Sequence, residues 1–380
     1  MSIDIPDTPS DINLLGPFRF ILRFTGLDCS AVRSTKNGWI PKIMAILVRL
    51  LALFMILVLI FRFIWFYKYK ADILSLVWGE ANMYAFGTLF GINCAICIAG
   101  WTKNGFFERF LEELERLHPS TTIDTYTKLH RIAFIFPIPW LSINLLLSIY
   151  NATNQKYLYG GTTTTPFFYI TFPILSLITT FISVTCLICY VLVQISLNRE
   201  LVYFNKELKD AANDVSLKTP SILQSFSHRQ NELIRFVKSS NSSLKSLAMF
   251  APVLCFVAVD NVIYSTAFMD VYPKVYLAGI VLSIPCYIGI LLFIMLPAAN
   301  VQQSVSWGVL PDFEQPSHPD IYQTYRIMCD RSTSLDTRIY VLGAFPIHMS
   351  SMAGSLFIVT LVPNVFIWVN KVMIQQGLNV

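Results

Sequence analysis

Seven long apolar blocks, separated by polar segments, constrain this 380-residue chain more than any other feature of its sequence. A membrane-crossing helix needs about 20 mostly apolar residues, and each block reaches that length. Only helices and closed barrels satisfy every backbone amide inside a bilayer, and the blocks lack the alternation of barrel strands. The sequence therefore predicts an all-α membrane protein with seven transmembrane helices, at Ile43–Phe66, Ser75–Trp101, Leu129–Tyr150, Pro166–Gln194, Leu247–Met269, Val275–Pro297 and Gly343–Val369.

Composition excludes several classes of protein. Charged residues make up only 13% of the chain and hydrophobic residues 54%, so the charged share is about half that of an ordinary soluble domain. The net charge of +5 lies between apolar blocks and not along one stripe, which argues against nucleic acid as a partner. Five histidines and no clustered intramembrane carboxylates indicate that the chain is not an enzyme and needs no metal or cofactor.

The lysines and arginines of the connecting segments indicate the orientation. The N-terminal segment and the second, fourth and sixth connections carry 20 of them, and the opposite side carries five. Because cytosolic connections are enriched in these residues, the N-terminus is expected in the cytosol and the C-terminus outside. The plasma membrane is the expected location. Asn151, in the sequon Asn151-Ala-Thr153, then lies outside and is the predicted glycosylation site.

The connections on the cytosolic side show helical periodicity. Apolar residues recur at this spacing after Gln194 and again from Leu223 to Leu244, so the fourth helix is expected to extend beyond the membrane and return as a second long helix. The spacing between Ile321 and Leu342 predicts one more helix that leads directly into the seventh. The predicted organisation is a cytosolic N-terminal segment (1–42), helices one to four (43–194), a cytosolic helical loop (195–246), helices five and six (247–297), a cytosolic loop and helix (298–342), and the seventh helix with a short extracellular tail (343–380).

The cysteines include two pairs with metal-like spacing. Cys94 and Cys97, and Cys186 and Cys189, form C-x-x-C pairs, but each pair lies inside an apolar block without a nearby histidine or carboxylate. We interpret them as small, polarisable packing residues.

Two segments carry a family resemblance. The run from Gly343 to His348, followed by an apolar helix, is similar to the start of the last helix in the insect gustatory and odorant receptor superfamily. The stretch from Arg229 to Leu244 is similar to the segment before the fifth helix of that family. The topology, with short outside loops and long helical cytosolic connections, resembles the same family. The sequence departs from the family signature at Thr360-Leu361 and Ile367-Trp368, so it resembles most a divergent nematode gustatory-receptor-like member.

This resemblance implies a chemosensory receptor that works as a ligand-gated cation channel. It implies a homo- or hetero-tetramer in membrane lipid, in which the seventh helix of each subunit lines one central pore. Thr360, Asn364 and Ile367 recur at helical spacing on that helix and are the predicted pore-lining residues. A pore helix needs a face that is apolar enough to close the pore by dewetting and polar enough to let ions pass when the pore is wider.

A ligand site is expected in the outer halves of the helices, where aromatic residues are concentrated. Such residues can form an interfacial belt, or they can line an apolar pocket for a small organic molecule. Asp260 lies near the middle of the fifth block, where an ionisable group must face a cavity or a partner. Arg62, by contrast, is expected to extend its charge to the outer membrane surface. The predicted ligand-binding residues are Tyr84, Phe168, Tyr169, Tyr264 and Asp260.

A G-protein-coupled chemoreceptor is the main alternative, because it too has seven transmembrane helices. That class has the opposite orientation and carries Asp-Arg-Tyr and Asn-Pro-x-x-Tyr motifs that this sequence lacks. A transporter is a further alternative, although no inverted repeat of broken helices is visible.

Overall fold

The structure is a computed structural model that describes residues 18–29, 39–68, 76–117, 166–214, 216–266, 274–306, 319–333 and 337–375, with a few single positions between 139 and 149. Most of the third predicted helix, Leu129–Tyr150, and the glycosylation site Asn151 lie outside the described residues.

The described part of the chain is almost entirely helical. Five of its helices, α2, α3, α5, α6 and α7, contain stretches that are long and apolar enough to cross a membrane. The helix α9, with 27 residues, coincides with most of the seventh predicted block. The elements are α1 (Phe18–Phe24), α2 (Trp39–Lys68), α3 (Leu76–Asn104), α4 (Phe106–Leu117), α5 (Pro166–Asn213), α6 (Pro220–Thr266), α7 (Lys274–Ser306), α8 (Pro319–Thr333), β1 (Tyr340–Val341), β2 (Phe345–Pro346) and α9 (Met349–Gln375).

The helices α3, α5, α6 and α7 form the core of one bundle. The indole nitrogen of Trp101 on α3 donates to the carbonyl oxygen of Ser243 on α6, and the Cys97 thiol lies 3.4 Å from the Ser246 hydroxyl, so these two helices are antiparallel. The buried hydroxyl of Tyr190 on α5 donates to the carbonyl oxygen of Ile294 on α7. The upper end of the bundle is the end at which α3 and α5 begin and α6 ends. The lower end of the bundle is the end that carries the turn between α5 and α6.

The helices α5 and α6 are unusually long, with 48 and 47 residues. At 1.5 Å per residue each is about 70 Å long, more than twice the thickness of a bilayer core. A short 3-10 helix, Ser216–Lys218, makes the turn between them. Pro220 occupies the first position of α6, where a backbone N–H would have no partner within the helix, so its absence costs no hydrogen bond. The helical continuation beyond Gln194 that the apolar spacing predicts is therefore present.

The segment between α8 and α9 differs from the prediction. Instead of one helix over 321–342 that leads directly into the seventh, α8 ends at Thr333 and a two-stranded hairpin precedes α9, which begins at Met349 and not at Gly343. The backbone amide of Ala344 donates to the carbonyl oxygen of Val341, and the two central residues of this turn, Leu342 and Gly343, have φ angles of +51° and +72°. Two consecutive positive φ angles are those of a type I′ turn and are incompatible with a right-handed helix.

Leu342→Gly is expected to stabilise the protein. A leucine in the left-handed region carries a steric penalty of about 1–2 kcal/mol, which glycine avoids at a smaller entropic cost. The Leu342 side chain is half exposed, so its loss removes little burial. We expect the free energy of unfolding to rise by about 1 kcal/mol, measured by thermal unfolding in detergent. Leu342→Ala is the matched control, because alanine keeps the steric penalty; an equal gain from alanine would contradict this explanation.

Candidate functional site

Four of the predicted ligand-binding residues lie on helix segments at the upper end. Tyr84 is on α3, Phe168 and Tyr169 are in the first turn of α5, and Tyr264 is in the last turn of α6. Because α3 and α6 are antiparallel neighbours and α5 packs beside α3, the backbone brings these positions to one end of the bundle. The side chains of all four lie outside the described residues.

Asp260 lies on α6 one turn below Tyr264. Its side chain is half-buried beside the fully buried Val259 and Val262, and its Oδ1 atom is shielded from solvent without a hydrogen-bond partner in the part of the chain that the structure describes. A buried acceptor without a donor destabilises a protein by about 1–3 kcal/mol. Asp260 can therefore accept a hydrogen bond from a group that enters the upper part of the bundle.

Arg62 on α2 is placed differently from the expectation. It does not extend to the membrane surface but is only 7% exposed, and its guanidinium donates to the Thr179 hydroxyl of α5 at 2.9 Å. The Thr179 hydroxyl in turn donates to the carbonyl oxygen of Leu175. A buried cation within an apolar helix bundle needs such partners, because desolvation of the charge is costly. The contact joins α2 to the core of the bundle.

The helices α3 and α5 approach closely beside this contact. Gly91 on α3 faces Thr179 and Ser183, and a Cβ atom at Gly91 would lie closer than 3.0 Å to Cγ2 of Thr179. Glycine and small hydroxyl residues let helix backbones come together inside a membrane. The same turns of α5 carry further buried hydroxyl side chains: Ser176, Thr180 and Thr185.

A second group of buried polar residues lies near the middle of the two longest helices. The side-chain amide of Gln194 on α5 donates to Asn241 Oδ1 on α6 at 3.0 Å, and Asn241 Nδ2 donates to the carbonyl oxygen of Thr337 at 2.8 Å. The backbone amide of Leu342 donates to the carbonyl oxygen of Met249. These bonds hold the segment that precedes α9 against the two longest helices.

The helix α9 packs on α6 and α7 and leaves much of its surface uncovered. Trp368 is 66% exposed and Phe357 64%. Of the predicted pore-lining residues, Asn364 is exposed and Ile367 is half-buried, whereas the side chain of Thr360 lies outside the described residues. A long helix with exposed aromatic side chains is typical of a surface that faces lipid or another subunit.

A charged cavity of about 690 Å³ lies between α4 and the lower half of α6, away from the upper end. Its floor includes Phe110 and Phe236, whose rings are stacked with centroids 5.0 Å apart. Arg116 pairs with Glu113 at 2.9 Å and lies 3.8 Å from Glu232. The lining includes three arginines and three glutamates, so its formal charge is balanced. Sequence reasoning did not identify this cavity, because its lining combines α4 with a segment of α6 that is distant in sequence.

The buried cysteines lie in the same helix interfaces. Cys94, Cys97, Cys186, Cys189 and Cys255 are buried where α3, α5 and α6 pack, and all are free thiols. No group of three or more metal-binding side chains is present among the described residues.

Comparison with known proteins assigns most of the chain to one family. A family model described as "Caenorhabditis protein of unknown function, DUF267" matches residues 14–364. No curated protein matches the sequence.

Two solved structures share the fold. The insect olfactory receptor OR5 from Machilis hrabei superposes with a TM-score of 0.66 at 14% identity, over 93% of this chain and 99% of the receptor. The same receptor in complex with eugenol superposes with a TM-score of 0.64 at 14% identity, over 94% and 99% of the two chains. At this identity the similarity establishes the fold of the chain and no more.

Proposed function

We propose that this chain, which belongs to the Caenorhabditis protein family of unknown function DUF267, is a membrane chemoreceptor that opens a cation pore when it binds a small organic molecule. One observation carries the proposal: the fold of an insect olfactory receptor extends over 93% of the chain and includes 99% of that receptor. Function does not follow from fold alone, so the local features of this chain must support each part of the proposal.

The proposed topology has seven transmembrane helices, with the N-terminus in the cytosol and the C-terminus outside the plasma membrane. Five span-capable helices in the described residues, together with α9, support six crossings, and the apolar block Leu129–Tyr150 supplies the third in chain order. In this arrangement the lower end is cytosolic, which agrees with the concentration of lysine and arginine there. The domain boundaries predicted from the sequence are proposed with it, except that the seventh helix begins at Met349.

Epitope tags at the two termini distinguish this topology from that of a G-protein-coupled receptor. We expect an antibody to reach a C-terminal tag on intact cells and an N-terminal tag only after permeabilisation.

Glycosylation tests the same topology. Enzymatic deglycosylation should shift the electrophoretic mobility of the parent chain but not that of Asn151→Gln, because Asn151 is proposed to lie outside. Asn241 occupies a second sequon but is buried in the lower half of α6, so Asn241→Gln should not affect glycosylation. An N-terminal tag accessible on intact cells would favour the coupled receptor.

The ligand site is proposed at the upper end, among Tyr84, Phe168, Tyr169, Tyr264 and Asp260. The shared position of their helix segments supports this site, as does the unpartnered Oδ1 atom of Asp260. Aromatic residues would supply apolar area, and the carboxyl group would accept a hydrogen bond that orients the ligand. The Machilis hrabei receptor has been solved with a small molecule, eugenol, which is the class of ligand proposed here.

The pore is proposed to form where α9 helices from several subunits, most simply four, surround one axis. The exposed aromatic and aliphatic surface of α9 supports a contact with further subunits or lipid. Thr360, Asn364 and Ile367 share one face of this helix and are proposed to line the pore.

The decisive experiment expresses the chain in cells without native receptors and records whole-cell current while a panel of small organic compounds is applied. We expect at least one compound to evoke a cation current, and Asp260→Leu to weaken the response while surface expression stays near that of the parent. A panel that evokes no current, either alone or with a related receptor subunit, would contradict the channel proposal. A response that requires G-protein activation would support the coupled receptor instead.

A further inference from the structure

The segment Phe18–Cys29, which we call the N-terminal strap, is held against the bundle at the point where α3 ends. It buries Leu22, Leu27 and Cys29, and its helix α1 packs against α5. The Thr102 hydroxyl at the end of α3 donates to the carbonyl oxygen of Leu27 at 2.8 Å and accepts from the backbone amide of Cys29 at 3.1 Å. The strap is therefore fixed in position by both burial and hydrogen bonds.

The turn after α1 places the strap against the apolar surface of α2. Gly26 has a φ angle of +73°, and its amide donates to the carbonyl oxygen of Arg23, which ends α1 as a glycine C-cap. A Cβ atom at Gly26 would lie 2.7 Å from Cγ of Leu51. Leu51 lies in the apolar stretch Ala45–Ile64 of α2, of which only 17% is buried and whose exposed leucine, isoleucine and phenylalanine side chains are suited to lipid. The strap thus continues a lipid-facing surface.

Two large aromatic side chains of the strap point away from the protein. Phe20 is 77% exposed and Phe24 is 73% exposed, and their spacing of four residues puts them on one side of α1. Two phenylalanines so exposed beside a membrane-facing helix are typical of an amphipathic segment that lies in the membrane interface.

Basic side chains surround the strap. Arg19 and Arg23 lie 3.2 and 3.4 Å from the buried carboxylate of Asp28, and the exposed Arg49 of α2 and Lys103 of α3 are close enough to act electrostatically on the Cys29 thiol. Among the described residues around the strap, four cations thus accompany one anion. Within that part of the chain Arg49 and Lys103 form no ion pair, so their charge is available to an anionic group.

We propose that the N-terminal strap is an in-plane membrane anchor that binds anionic phospholipid, with Phe20 and Phe24 among the acyl chains and Arg49 and Lys103 beside the lipid headgroups. The continuity with the apolar surface of α2 favours lipid over a protein partner, and the excess of positive charge favours an anionic headgroup over a zwitterionic one. Each basic residue near an anionic surface contributes to binding by an amount that salt reduces. This anchor does not depend on the ligand or the ion pathway proposed above.

Amide hydrogen exchange of the purified full chain tests the anchor. The chain is reconstituted in nanodiscs of phosphatidylcholine alone or of phosphatidylcholine mixed with phosphatidylserine, and exchange is followed over residues 18–29. We expect the strap to exchange roughly 30-fold more slowly in the mixed lipid, a factor that follows from two cations near an anionic surface. Equal exchange in the two lipids would overturn the proposal, and this comparison needs no variant.

Variants separate the two parts of the anchor. Arg49→Gln combined with Lys103→Gln should remove the difference in exchange rate between the two lipids. Lys371→Gln, near the C-terminal end of α9 and far from the strap in sequence, should keep that difference. Phe20→Ser combined with Phe24→Ser should raise exchange of the strap in both lipids while exchange in the core helices α3 and α5 stays unchanged. Strap protection that is unaffected by the phenylalanine changes, or that persists in detergent and grows with protein concentration, would show that protein covers the strap and not lipid.

Discussion

Gly91→Ala is expected to destabilise the helix bundle by about 2–3 kcal/mol, although it adds a single methyl group. In an ordinary helix the same change is favourable, because alanine has the higher helix propensity. At Gly91 the new Cβ atom would overlap Cγ2 of Thr179, and the Thr179 hydroxyl accepts the hydrogen bond from Arg62. The helices α3 and α5 must separate, or Thr179 must rotate away from the guanidinium.

Thermal unfolding in detergent measures this effect, and two variants control it. Gly100→Ala, on the same helix, meets no atom within 4 Å and should be neutral or slightly stabilising. Thr179→Ser removes Cγ2 but keeps the hydroxyl that accepts from Arg62, so Gly91→Ala combined with Thr179→Ser should recover most of the lost stability. A double variant no more stable than Gly91→Ala alone would show that the contact with Thr179 is not the cause.

Asn364→Lys is expected to abolish the ligand-evoked cation current if α9 lines the pore. A lysine at this position would place a positive charge in each subunit around a narrow path, and a ring of positive charge excludes cations. Whole-cell recording measures the current, and surface labelling shows whether the variant reaches the membrane. Asn364→Ala should leave a current of altered amplitude or selectivity.

A substitution on the other side of α9 provides the control. Ile358 is exposed and lies away from the face that Thr360, Asn364 and Ile367 share. Ile358→Asn should therefore reduce the current only as far as it reduces surface expression. If Asn364→Lys keeps the amplitude and the reversal potential of the parent, α9 does not form the conduction path as proposed.

The helices were the most predictable part of this fold, because uninterrupted apolar blocks depend on local sequence alone. The start of α5 at Pro166 agrees with the predicted boundary, since a proline is well suited to the first turn of a helix. The extension of α5 and α6 beyond the apolar blocks was also predictable, from apolar residues at helical spacing.

The hairpin before α9 was not predicted, because the apolar residues between Ile321 and Leu342 fit a helical spacing. Gly343 and Pro346 were the signals of a break, but Leu342 has little intrinsic preference for the left-handed conformation that it adopts. That conformation depends on the bond from its amide to Met249, which is distant in sequence.

The burial of Arg62 could not be predicted from sequence alone either. An arginine near a helix end can reach the membrane surface or turn inward, and local sequence does not distinguish these outcomes. The decisive partner, Thr179, lies 117 positions along the chain. Contacts of this kind depend on which helices become neighbours, which hydropathy does not reveal.

The lengths of α5 and α6 have a mechanical consequence. If a bilayer surrounds the upper part of these helices, about 40 Å of each protrudes below it as a stiff lever arm. A tilt of about 5° at the bilayer then sweeps the turn between them through roughly 3 Å or more, because displacement grows with distance from the pivot. The bonds from Asn241 and Met249 attach the segment before α9 close to the pivot of this lever, roughly 30 and 44 Å from the start of α6. Small rotations among the packed helices are thus converted into large movements at the tip of the lever and only small ones at the foot of α9.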